Sequence, residues 1–190
     1  MTKELVFLLE ERSAGAMLGS LLPRLIGNEI ACRMIPFEGK QDLEKHLVRR
    51  VRGYHNANAR FIVLRDQDSG DCMVLRQRLM DLCDQSGKRR ACLVRIACTE
   101  LEAFYLADLA AVEAALDLDG LAKQQCGRKL RTADRLANPS QELRKLTRGK
   151  YQKIAGSRGI GKHLDLDNER SPSFLNLIRG IRRMEAALLA

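Results

Sequence analysis

Phe61-Ile62-Val63-Leu64, running without a break into Arg65-Asp66-Gln67-Asp68-Ser69-Gly70-Asp71, is the most informative stretch of this 190-residue sequence. A short, wholly apolar run bounded by polar turn residues reads as a strand buried on both faces, the condition of strands in parallel sheets covered by helices. Leu5-Val6-Phe7-Leu8-Leu9 has the same character and ends in Glu10-Glu11. Leu93-Val94-Arg95-Ile96-Ala97, apolar apart from Arg95, reads as another strand and leads into Glu100-Leu101-Glu102. Ile30 to Phe37 reads as a further strand, closed by a turn at Glu38-Gly39.

Between the strands the apolar period changes to that of helices. Met17, Leu18, Leu21 and Leu25 recur at helical spacing behind Ser13, which has the chemistry of an N-cap, and Leu43, Leu47 and Val51 share one face of a helix over about 41–51. Leu75, Leu79 and Leu82 mark another, ended by Gly87. Strands alternating with helices predict an α/β fold with a doubly wound, mainly parallel sheet. Beyond Asp108 the pattern is read as wholly helical. The expected organisation is an α/β core over 1–108 and a basic helical extension over 109–190 that packs on it. In the last helix, Ser171-Pro172 supplies a cap and an N1 proline, and Phe174, Leu177, Ile178, Ile181 and Leu188 face the sheet.

The acids matter because of where they fall. Loops at the carboxyl ends of strands line the ligand crevice of an open parallel sheet. Glu10 and Glu11, Asp66 and Asp68, and Glu100 and Glu102 each follow a different strand, so they are expected at one edge. Carboxylates brought together raise one another's pKa unless a cation lies among them, and hard oxygen ligands suit Mg²⁺ or Mn²⁺. An extended Asp66-Gln67-Asp68 would send both aspartates to the same side, with Gly70 allowing the turn that follows. Taken singly, each acid has a plainer reading: turn composition for Asp66 and Asp68, a helix-dipole partner for Glu10, an exposed helix position for Glu102.

Charge is distributed unevenly. The formal net charge is +9, and Lys123 to Lys162 holds twelve Lys/Arg against two Asp/Glu, which leaves the rest of the chain at −1. Such a block either stays solvated or meets a polyanion such as nucleic acid. The six cysteines form no Cys-x-x-Cys pair, which argues against zinc and fits reduced thiols in a cytoplasm. The start does not have the layout of a signal peptide, and no apolar run is long enough to span a bilayer, so no membrane role is expected. Gly156-Ser157-Arg158-Gly159-Ile160-Gly161-Lys162 lacks P-loop spacing and follows no strand, so ATP, if used, comes from a partner. His46, His55 and His163 lie beside no convincing nucleophile.

The layout resembles a TOPRIM domain, the catalytic fold of topoisomerases, DnaG-type primases and OLD-family nucleases. That family has a Glu after its first strand, matched by Glu10 in Leu8-Leu9-Glu10-Glu11, and an Asp-x-Asp after its third, matched by Asp66 and Asp68. Asp71 falls where some members carry a further acid. Within the clan, Glu100-Leu101-Glu102-Ala103-Phe104-Tyr105-Leu106-Ala107-Asp108 and Ser173-Phe174 are similar to elements of a bacterial family related to OLD and RloB-like proteins and often encoded beside ABC- or AAA-type ATPases. The likeness covers nearly the whole chain. Glu11 departs from the pattern, since many TOPRIM enzymes have Gly there.

The resemblance implies a nuclease that cuts DNA or RNA, using Mg²⁺ or Mn²⁺ held by Glu10, Asp66 and Asp68, with Glu102 on a second ion and Glu11, Asp71 and Glu100 as further acids. It implies phage defence with an ATPase partner, and assembly into a homo-oligomer is compatible with it. Lys153 corresponds to a lysine that OLD-like nucleases bring from beyond the core, or is a surface residue. Lys150, Arg158 and Lys162 are candidates for nucleic-acid contact. Arg65 either touches phosphate or offsets carboxylate repulsion. Two other readings stand: a non-catalytic subunit of the same shape binding nucleic acid or an ATPase, and a Mg²⁺-dependent hydrolase of small phosphates.

Overall fold

Strand β1 (Glu4–Leu9) lies inside the sheet because every residue from Leu5 to Leu9 is apolar and buried. The structure is a computed structural model that describes residues 2–190. β1 pairs in parallel with β2 (Ala31–Pro36) on one side and β3 (Ala59–Asp66) on the other. β3 in turn pairs in parallel with β4 (Cys92–Ala97), giving a four-stranded sheet of order β2-β1-β3-β4.

Strand alternation divides the core into two layers. Leu5, Phe7, Leu9, Ile62 and Leu64 face α1 (Arg12–Leu21) and α8 (Pro172–Leu189). Val6, Leu8, Phe61 and Val63 face α2 (Lys40–Arg52) and α3 (Cys72–Gln85). Burying a large aliphatic side chain is worth about 1.5–3 kcal/mol, so β1 alone anchors the sheet. The chain is therefore an α/β protein with helices on both faces of a parallel sheet.

The later segment is less regular than expected. Short α4 (Glu102–Leu106) and α5 (Leu109–Leu116) are followed by three 3-10 turns between Ala122 and Arg135. Charged residues and Gly120 and Gly127 leave this stretch without an apolar period to hold longer helices. Regular helix resumes at α6 (Pro139–Leu146) and α7 (Lys153–Gly161). α8 begins as its sequence signal predicts, with Ser171 Oγ accepting from Phe174 N–H at 3.2 Å, and Phe174, Leu177, Ile178, Ile181 and Leu188 are all buried on the sheet. Asp134 fastens the irregular stretch to this cap, accepting from Ser173 N–H at 2.8 Å. Ser13 is not a cap: α1 starts at Arg12, and the Ser13 hydroxyl donates instead to the Glu11 carboxylate.

α7 crosses α1 at backbone distance. A Cβ on Gly161 would lie 2.5 Å from the Met17 carbonyl oxygen, so only glycine permits this crossing. The crossing matters because α7 carries Lys153 to the edge of the sheet. Among the described residues, no helix is long and apolar enough to cross a membrane.

Candidate metal centre

The carboxyl ends of β1, β3 and β4 open on one edge of the sheet, and the ladder there extends past the strands. Glu10 N–H donates to Leu64 O at 3.1 Å, and Asp66 N–H donates to Glu10 Oε2 at 3.0 Å. Glu10 is thus held against the end of β3 by its backbone and by its side chain. The loop after β2 joins them, with Gly39 N–H donating to Glu10 O at 3.0 Å. Gly39 takes φ 102° and ψ 179°, a conformation open essentially to glycine alone.

The loop after β3 is laced to the loop after β4. Asp68 N–H donates to Thr99 O at 2.7 Å, and Thr99 N–H to Gln67 Oε1 at 3.2 Å. Both Asp68 (φ 54°) and Thr99 (φ 64°) are left-handed, and Thr, being β-branched, resists that conformation. Strain of this kind persists only where surrounding structure imposes it. The turn after β3 is therefore made by Asp68 rather than by Gly70.

This corrects the expectation that Asp66 and Asp68 project alike from extended backbone. Asp66, the last residue of β3, points into the α1 face of the sheet, where the strongest repulsion it feels comes from Glu11, Glu10 and Glu102. Asp68 turns towards α2 and pairs with Lys40, Nζ to Oδ2 at 2.8 Å. Glu10 stands between them and is repelled by Asp68 and Glu11.

Glu102 is 1% exposed, so it is not a surface residue of α4. Its Oε1 accepts from Tyr151 Oη at 3.0 Å, and Tyr151 also meets Ser157 Oγ at 3.1 Å. Glu11 accepts from Lys153 Nζ at 2.5 Å. The result is a crescent of acids in the order Asp68, Glu10, Asp66, Glu11 and Glu102, with Lys40 at one end and Lys153 at the other.

Electrostatics across the crescent follow from burial. Desolvation, then repulsion by Glu11, Glu10 and Glu102, pushes Asp66 well above the ordinary carboxylate range. Glu10 and Glu102 are raised as well, desolvation being the largest cause for each. The hydrogen bond from Asp66 N–H holds Glu10 back, and Lys153 and Tyr151 do the same for Glu102.

Other expected residues have different employment. Arg65 is 5% exposed and cannot meet a phosphate backbone; alternation puts it on the α2–α3 face, ion-paired with Glu44, with its Nε buried, without a hydrogen bond, and 3.8 Å from Glu10 Oε2. Glu44 is shared with Arg78 at 2.6 Å. Asp71 caps α3, accepting from Met73 and Val74 N–H at 2.8 and 3.0 Å. Glu100 turns away to accept from Ser140 N–H at the start of α6, at 2.7 Å. Lys150 donates to Asp117 O at 3.0 Å. Arg158 and Lys162 are exposed on and just after α7, past Lys153 in sequence. Lys40 and Tyr151 went unrecognised from sequence. Lys40 has a positional signal, since it directly follows the Glu38-Gly39 turn at a strand's carboxyl end; Tyr151 has none.

Among the described residues, no three His, Cys, Asp or Glu side chains are drawn together as a finished ligand set. The donor chemistry nevertheless fits a hard divalent cation. All the candidates are carboxylates, they come from three strand ends, and Glu10, Asp66 and Glu102 are raised first by burial and then by neighbouring carboxylates.

A family model described as "Domain of unknown function (DUF4276)" matches residues 9–182. No curated protein matches the sequence. Among solved structures, the C-terminal region of the Burkholderia pseudomallei OLD protein is similar, with a TM-score of 0.54 and 15% identity over 99% of each chain. At that identity the likeness establishes the fold, an OLD-type TOPRIM-like architecture spanning the whole chain.

Proposed function

The chain belongs to the DUF4276 family, and from the geometry above we propose that it is a divalent-metal-dependent nuclease. The observation that carries the reading is the set of desolvated, mutually repelling carboxylates of Glu10, Asp66 and Glu102, delivered from three strand ends and flanked by lysines. The OLD-type fold supports it.

Glu10, Asp66, Asp68 and Glu102 would hold Mg²⁺ or Mn²⁺, and Glu11 lies close enough to add charge. When bound, such an ion supplies a water of lowered pKa and polarises the phosphodiester. The protein's own contribution is placement and charge. Arg65, ion-paired with Glu44 beneath the sheet, sets a positive charge beside Glu10 at 3.8 Å. Lys153 and Lys40, both at the first residue of a helix, offer cations to phosphate oxygens on opposite sides of the acids. Nucleic acid as ligand is supported by the basic segment, and an ATPase partner by the sequence resemblance.

A second reading rests on the two ion pairs. Lys40 on Asp68 and Lys153 on Glu11 already neutralise two of the acids, as in a non-catalytic subunit that keeps the shape of a nuclease. Incubating the protein with plasmid and with total tRNA, in Mn²⁺, Mg²⁺ or EDTA, separates the two. The nuclease reading expects metal-dependent cutting, reduced on the order of a hundredfold or more in Asp66→Ala. Salt-sensitive binding without cutting in any metal establishes the second reading instead.

A further inference from the structure

β4 is an outer strand of the sheet, and its free edge lies at the bottom of a groove between α3 and α8. The Ala97 carbonyl accepts from Gln67 N–H on the β3 side, so the period of the strand turns the backbone groups of Val94 and Ile96 outward. Two side-chain contacts agree with that parity: Val94 O accepts from Arg95 Nη1 at 2.9 Å, and Cys98 N–H, one strand period beyond Ile96, donates to Ser173 Oγ at 3.3 Å. Among the described residues nothing bonds the outward Val94 N–H or the outward N–H and C=O of Ile96.

The groove is positively charged. Arg95 is half-buried in it, anchored by Nε to Asn176 O at 2.8 Å, and its pKa is lowered by burial and by the nearby Arg183 and Arg76. Among the described residues neither Arg76 nor Arg183 has an acidic partner. Asp134, the acid that lines the groove, is committed to Ser171 and Ser173. Met73 on the α3 wall is 68% exposed, and Val74 beside it 66%.

We propose that this edge docks an extended, acidic segment of a partner protein, which adds to the sheet as a fifth strand. Free strand edges pair with extended peptides through backbone bonds, and flanking side chains choose the sequence. Alternate side chains of the added strand would meet Arg76 and Met73 on one wall and Arg95 and Arg183 on the other. A second copy presenting the same edge is excluded by its own arginines. Nucleic acid suits the charge, and its phosphates can accept from backbone N–H groups, but an added strand supplies donors and acceptors at the strand period and so meets both the N–H and the C=O of Ile96. The inference is independent of what the acid crescent does.

A fluorescein-labelled octapeptide of alternating Glu and Val provides the probe, with a Lys-Val octapeptide and an oligo-dT strand as comparators. Fluorescence anisotropy should show binding of the Glu-Val peptide, weakened at least about tenfold by Arg76→Glu and by Arg183→Glu, both exposed positions that leave folding undisturbed. Hydrogen exchange at the Val94 and Ile96 amides should slow when the peptide binds. No binding, equal binding of the Lys-Val peptide, or binding that leaves those two amides unprotected would overturn the proposal. So would oligo-dT binding more tightly than the peptide and responding to the same two charge reversals.

Discussion

Asp66→Asn is expected to raise the melting temperature of the metal-free protein while it removes the metal-dependent activity. In most sites a substitution that damages function also damages folding. Here the two effects have opposite signs, and the cause is the raised pKa. Asp66 has an ordinary carboxyl in the unfolded chain and a much less acidic one in the fold, because burial and Glu11, Glu10 and Glu102 all oppose its charge. Between those two pKa values the folded state binds more protons than the unfolded state. Stability therefore falls as pH rises through that window, and the loss is complete only once pH exceeds the folded-state value.

Asn removes the charge and leaves the shape. Each kcal/mol of repulsion relieved should add about 2–4 °C in a chain of this size. The downward slope of stability with pH should flatten in the variant, without vanishing, because Glu10 and Glu102 are raised too. Thermal melts in EDTA across the acid and neutral range check the sign. A variant that melts lower than the wild type at neutral pH would show that Asp66 is a structural acid rather than one waiting for a cation.

Gly161→Val is expected to destabilise the fold strongly. Its Cβ position is 2.5 Å from Met17 O and 3.1 Å from Met17 Cα, and backbone atoms cannot step aside as a flexible side chain can. Overpacking of this kind costs about 1–3 kcal/mol or more, or several degrees of melting temperature. Any relief comes from moving α7 off α1, and that carries Lys153 away from Glu11. Weaker nucleic-acid binding should therefore accompany the lower melting point. Gly19→Ala is the control: it lies in α1, the other helix of that crossing, with nothing within 4 Å of its Cβ position, and should stabilise by about 0.5–1 kcal/mol. Calorimetry of the two variants beside the wild type makes the comparison.

The sheet was legible in the sequence because β1, β3 and β4 are covered on both faces, so the runs that mark them are apolar apart from Arg95 in β4. The carboxyl-edge rule then located Glu10, Asp66 and Glu102 without knowledge of any side-chain position. What sequence could not carry was orientation. Asp66 and Asp68 share a spacing that promises a common direction, and a left-handed turn at Asp68 breaks the promise. Arg65, Asp71 and Glu100 have the right charge beside the right residues, yet each is occupied by Glu44, the start of α3 or the start of α6. Local spacing does not contain those partners.

The basic segment is divided: 3-10 turns break the helical pattern expected over its first part, and α7 brings Lys153 to Glu11. Tyr151, silent as a motif, reaches Glu102 of α4 from the segment just before α7. Lys40 shows the opposite case: its place after a strand end was visible, and its charge drew no attention among so many basic residues.

Whether distant acids share one cation is decided most directly by crystals soaked in Mn²⁺ and measured at an anomalous wavelength. The account predicts an anomalous peak between Glu10 and Asp66, with Asp68 or Glu102 turned towards it. A map with no peak at that edge, while Lys40 stays on Asp68 and Lys153 on Glu11, would contradict it.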